Sequence, residues 1–126
     1  MNITVKHING SKEYPVVDKI PRNYELWGID AGRDNAGYVL LCEKTYLPSG
    51  RITPTTFWTN LDTIQAIYVG KSDAEKLYNA CHHDGIKSLD SARRAIKTAS
   101  KWKATYYDKQ RGKVAESVVG ILERLY

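Results

Sequence analysis

Apolar and polar positions follow two different periods along this chain, and the change falls at Gly70. Before Gly70, short runs rich in β-branched residues carry the two-residue period of strands; after it, apolar residues recur every three or four positions, as on helices. Asn2–Ile8 and Glu13–Val17 read as two strands joined at Asn9-Gly10, a pair that tolerates the positive φ of a tight hairpin turn. Tyr24–Asp30 (YELWGID) and Ala36–Tyr46 (AGYVLLCEKTY) read as neighbouring antiparallel strands across the turn-forming cluster Ala31–Asn35. Tyr38–Cys42 is continuously apolar, which predicts a central strand covered on both faces.

Leu47–Gly50 reads as a turn, and Pro54 places its neighbours at a sheet edge or outside the sheet. Thr55–Asn60 and Thr63–Val69 are further strand candidates, the second apolar on both faces. Ser72 and Glu75 have the spacing of a capping box, predicting a helix from there to about His83 that stops at Asp84-Gly85. Ser88 can cap a second helix whose apolar stripe is Leu89, Ala92, Ile96, Ala99 and Trp102. A third helix is expected from about Lys113 to Tyr126, with Gln110 and Gly112 at the joint before it. The expected fold class is α+β, an N-terminal antiparallel sheet followed by two to three helices. It is read as a single domain over 1–126, with a β-rich part (1–70) and a helical part (71–126).

At 126 residues one core is feasible, since a chain of this size buries roughly two-thirds of its unfolded surface. No apolar run approaches the ~18 residues of a membrane span, and the first residues lack a signal peptide's apolar stretch. A cytoplasmic protein is expected, in the host cytoplasm if phage-encoded. Cys42 and Cys81 fit buried thiols better than a disulfide framework. The net charge of +5 is concentrated: residues 1–70 hold seven Lys/Arg and seven Asp/Glu, whereas residues 71–126 hold twelve and seven. Ser91–Tyr107 contains no acid at all, and such asymmetry points to an anionic partner.

The candidate ligand-binding residues follow from that charge. Arg93, Lys97 and Lys101 recur every four residues and share a strip of the second helix, with Arg94 beside it. Arg pairs with phosphate through two parallel hydrogen bonds, and Lys adds a compact charge. Trp102, Tyr106 and Tyr107 offer flat faces to a base. Lys109, Arg111 and Lys113 extend the positive region. The competing reading is a solvated helix face with Trp102 in the core.

Other chemistries lack support. His82-His83 beside Cys81 does not make a metal site, because adjacent helical residues point about 100° apart and no second ligand pair completes a tetrahedron. Cys81 and His82 are not a nucleophile–base pair merely by adjacency. No GxxxxGK[ST] or GxGxxG loop is present, Gly32–Gly37 reads as a hairpin turn, and the acids are scattered. No enzyme activity and no cofactor are expected. Nine tyrosines and three tryptophans against one phenylalanine suit an interface, hence a homo-oligomer, although Tyr24, Trp27, Tyr38, Phe57 and Trp58 read first as core.

The segments YELWGID and AGYVLLCE, followed by a β-rich stretch and basic C-terminal helices, resemble small phage and prophage proteins that block bacterial defence. The arrangement is similar to the first-described Thoeris anti-defence family. That resemblance implies an oligomeric, non-enzymatic sponge, holding cyclic ADP-ribose isomers or cyclic trinucleotides in a pocket at a subunit interface. Two other readings of the residues stand beside it: nucleic-acid binding through the basic second helix, and inhibition of a host defence complex by protein–protein contact.

Overall fold

The computed structural model describes residues 1–46, 52–53 and 63–126. Its strands are β1 (Asn2–His7), β2 (Gly10–Val17), β3 (Tyr24–Asp30), β4 (Tyr38–Glu43), β5 (Thr45–Tyr46), β6 (Ile52–Thr53) and β7 (Gln65–Tyr68); its helices are α1 (Lys71–Asp84), α2 (Leu89–Ala99) and α3 (Tyr106–Leu125). A five-stranded sheet in the order β1-β2-β7-β4-β3 precedes the three helices, as an α+β fold requires.

The sheet is mixed, not antiparallel throughout. β1–β2, β3–β4 and β4–β7 are antiparallel, but β2 and β7 run parallel, with Val16 opposite Ala66. The arrangement is topological: β7 slots between the two hairpins, antiparallel to β4 and parallel to β2, so β2 and β4 run in opposite directions. β7 therefore occupies the centre assigned from sequence to Tyr38–Cys42, while β4 is an interior strand beside it. β4 is nonetheless buried on both faces. Val39 and Leu41 join Leu26 and Ile67 in the cluster under the helices, and Leu40 and Cys42 join Ile3, Val5, Tyr14 and Ala66 on the other side. The expected single strand Ala36–Tyr46 breaks at Lys44, whose amide bonds to Asn23 O at 2.7 Å, and β5 pairs instead with β6. The expectations for Leu47–Gly50, Pro54, Thr55–Asn60, Phe57 and Trp58 lie outside the described residues.

The helix starts correct the reading in two places. Ser72 and Glu75 form no capping box: α1 begins at Lys71 behind Gly70, which has φ 95° and no side-chain cap. Gly37 O accepts from the amides of both Val69 (2.8 Å) and Gly70 (3.1 Å), so the chain turns there, in a conformation open to glycine, before Ser72 is reached. The stop at Gly85 is as expected, with φ 66°. Ser88 caps α2 as predicted, its Oγ accepting from Ser91 N at 3.1 Å. α3 begins at Tyr106, not near Lys113, because Thr105 and Asp108 form a reciprocal capping box. Gly112 is therefore inside α3 and buried against α2, not a joint between helices. No helix among the described residues is long and apolar enough to cross a membrane.

Candidate functional site

All nine residues singled out by charge and spacing lie on the α2–α3 hairpin: Arg93, Arg94 and Lys97 on α2, Lys101 and Trp102 in the connecting turn, and Tyr106, Lys109, Arg111 and Lys113 on α3. α2 ends at Ala99, so Lys101 is not part of a helical row, and Trp102 does not close the buried stripe. Trp102 is 89% exposed, which also removes the core reading of that ring. The stripe that packs consists of Ala92 and Ala95, with Leu89 and Ile96 half-buried.

Three of the cations have partners, two of them distant in sequence. Arg93 lies 3.8 Å from Glu123 of α3, and Arg94 lies 3.4 Å from Asp90 one turn earlier. Both pairs are exposed and worth little to stability. Arg111 Nε donates to Asp84 O at 2.8 Å, fastening α3 to the end of α1, which is structural work. Arg93 also borders a small depression of about 280 Å³ with Lys44, Ser88 and Tyr126.

A larger concavity than this depression lies between the β3–β4 hairpin and one face of α1, with a volume of about 520 Å³. None of the nine residues lines it. Its shape follows from two irregularities. Gly28, at φ 79°, sits where the β3–β4 register shifts between Leu26 and Asp30, and it lets the strand pass close to Cys81 of α1. Gly37 anchors the start of α1 through its carbonyl, and a Cβ there would lie 2.9 Å from the Tyr68 ring. The turn between these glycines is tied down as well: Asp30 Oδ1 accepts from Gly32 N at 3.0 Å, and Asn35 Nδ2 donates to Thr4 O at 2.7 Å.

Buried Leu26, Val39, Ala74 and Leu77 give this cleft an apolar lining, and exposed Asp30, Arg33, Lys71, Glu75 and Asn79 give it a polar one. Neither Arg33 nor Lys71 has an acidic partner among the described residues. Tyr38 and Tyr78 are half-buried lining rings. Tyr38 is braced edge-on by Tyr68 at 5.1 Å, and Tyr78 is stacked on His82 at 5.3 Å. Cys81 also borders the cleft, but burial pushes its thiol up to about 11, with Glu25 adding to the rise and Lys87 opposing it. At neutral pH it is a protonated apolar wall and not a nucleophile.

From sequence, Gly32–Gly37 is only a turn, and no role attaches to Arg33, Lys71, Tyr78 or Asn79. The available signal was three glycines, Gly28, Gly32 and Gly37, closely spaced around a strand end, a density that marks close backbone approach. Among the described residues no three His, Cys, Asp or Glu side chains gather as a metal site. Both cysteines are free and buried. Comparison with protein-family models, curated proteins and solved structures returns no match to this chain.

Proposed function

We propose that the chain binds a small phosphate-bearing nucleotide in the cleft between β3–β4 and α1 and holds it without turnover, as an anti-defence sponge would. The cleft itself carries the reading. Its volume of about 520 Å³ lies within the roughly 300–1,000 Å³ usual for small-molecule sites, and it pairs an apolar lining with a few polar groups. Arg33 and Lys71 suit phosphate oxygens, Tyr38 and Tyr78 suit a base, and the Asp30 and Glu75 carboxylates suit ribose hydroxyls or an exocyclic amine. Of the nine residues on the α2–α3 hairpin, none lines this cleft and only Arg93 borders the smaller depression.

The test is calorimetric titration of the purified chain with ADP, cyclic ADP-ribose isomers and a cyclic trinucleotide. The complex is then heat-denatured and the released ligand analysed by chromatography. One of these ligands should bind and be recovered intact. Arg33→Ala and Lys71→Ala should each weaken binding about tenfold to a hundredfold, as expected for a lost charge-assisted hydrogen bond. A converted ligand would overturn storage without turnover, and affinity indifferent to both variants would remove the cleft as the site.

A further inference from the structure

The α2–α3 hairpin ends in a turn that nothing among the described residues covers. Trp102 is 89% exposed there, Tyr106 78% and Tyr107 64%. Single apolar side chains in water are ordinary, but three exposed large rings between residues 102 and 107 call for a function. The turn is also built and not frayed. Ala104 N donates to Lys101 O at 3.0 Å, and Thr105 and Asp108 exchange backbone-to-side-chain hydrogen bonds at 3.1 Å in both directions.

The charge around these rings is one-sided. Asp108 is the only acid between Ser91 and Ala115, and its carboxylate is committed to the capping box. Arg93, Arg94 and Arg111 are partnered, but Lys97, Lys101, Lys103, Lys109 and Lys113 have no acidic partner among the described residues. Lys103 Nζ sits 5.3 Å from the Trp102 ring centre, so cation and ring are presented together.

We propose that this tip is a docking surface for single-stranded nucleic acid, with Trp102, Tyr106 and Tyr107 stacking on bases while the unpaired lysines meet the phosphates. Flat rings interleaved with cations complement a polymer that alternates flat bases with anions, and stacking accepts any base because each has a π-face. A duplex hides those faces in its own stack, so it can use the lysines but not the rings. An anionic membrane also attracts aromatics and lysines, but an interfacial helix lays a continuous apolar stripe into the lipid. Here the stripes of α2 and α3 are spent on each other and on the sheet, through Ala92, Ala95, Ala115 and Val118. The tip shares no residue with the cleft, so this inference stands apart from nucleotide capture.

Fluorescence anisotropy of the full chain with labelled oligothymidine and oligouridine tests the proposal, beside a duplex of equal length and phosphatidylcholine vesicles containing phosphatidylserine. Single strands should bind more tightly than the duplex. Trp102→Ala should weaken them roughly 5- to 150-fold at unchanged melting temperature, the ring being exposed. Lys101→Ala and Lys103→Ala should each flatten the dependence of log affinity on log salt by about 0.7. Tyr106→Ser repeats the test should Trp102→Ala misfold. Equal binding of duplex and single strand with Trp102→Ala silent, binding to vesicles alone, or no binding at all would each overturn the assignment.

Discussion

Two glycines on α3 allow one substitution to be read with opposite signs. Replacing glycine by alanine inside a helix gains ~1 kcal/mol from backbone entropy alone, and that gain applies equally to Gly112 and Gly120. At Gly120, which is exposed, an added Cβ has nothing within 4 Å, so Gly120→Ala should keep the whole gain. At Gly112, which is buried, the Cβ would collide with the Ala99 methyl of α2 and lie 3.4 Å from Ala95 O. The obstacle is a methyl on a helix backbone, which has no rotamer to escape into, so overpacking of ~1–3 kcal/mol opposes the gain. Gly112→Ala should therefore fall between neutral and about 2 kcal/mol destabilised, always below Gly120→Ala. Urea unfolding followed by far-ultraviolet circular dichroism measures both midpoints. Ala99→Gly in the Gly112→Ala background should recover stability beyond additivity, because it removes the collision itself. Equal stabilisation by both substitutions would refute the close α2–α3 approach, and with it the geometry that sets the hairpin tip.

Ser88→Ala should lower stability by about 1–2 kcal/mol in the same assay, because the Ser88 Oγ caps the Ser91 amide in a buried setting. Arg124→Met removes an ion pair with Asp73 at 2.9 Å that lies largely in solvent, so the loss should stay under ~1 kcal/mol and shrink further in salt. Burial pushes Cys42 up to about 12 and Cys81 up to about 11 from an ordinary 9.0, so the folded chain holds protons that the unfolded chain releases. Their contribution should be complete below pH 9.0 and decline as pH rises to 11 and 12, by on the order of 4 kcal/mol for Cys42 and about 3 kcal/mol for Cys81. Thermal unfolding across that range checks the sign. An aromatic disulfide reagent should label neither thiol at neutral pH until denaturant is added, and rapid labelling of the folded chain would contradict the burial.

Local signals in the sequence survived folding, and signals that depended on partners did not. The β1–β2 hairpin, the β3 limits, the doubly buried β4, the Ser88 cap and the Gly85 stop are each specified within a few residues and each is present, although the hairpin turns at Ile8-Asn9, one residue before the expected Asn9-Gly10, with Gly10 opposite His7 and Gly10, not Asn9, at positive φ. The parallel β2–β7 pairing could not be read locally, since it follows from where a late strand inserts. Ser72 and Glu75 had the right spacing for a cap, but the distant Gly37 carbonyl fixes the helix start two residues earlier. The acid-free stretch likewise lost part of its charge to Asp90 before it and Glu123 after it. The cleft was hidden for the same reason: Arg33 and Lys71 come from separate elements, joined because Gly37 holds the Val69–Gly70 turn.

That difference in origin separates the two proposed surfaces experimentally. The cleft walls are fixed by long-range bonds, Asn35 to Thr4 and Gly37 to Val69 and Gly70, so a ligand there braces the β3–β4 turn against the first turn of α1. The tip is closed by bonds only a few residues apart, from Lys101 to Asp108, so a strand docked there orders only the hairpin end. Both ligands raise global stability by mass action, and melting temperature cannot tell them apart. Local hydrogen exchange can, because it reports the opening of each segment separately. A nucleotide in the cleft should slow exchange at Val69, Gly70 and Ala74 and leave Ala104 and Asp108 unchanged, whereas an oligonucleotide should do the reverse. Protection of the tip by a mononucleotide alone would move the small-ligand site from the cleft onto the hairpin, where the rings of Trp102, Tyr106 and Tyr107 are exposed.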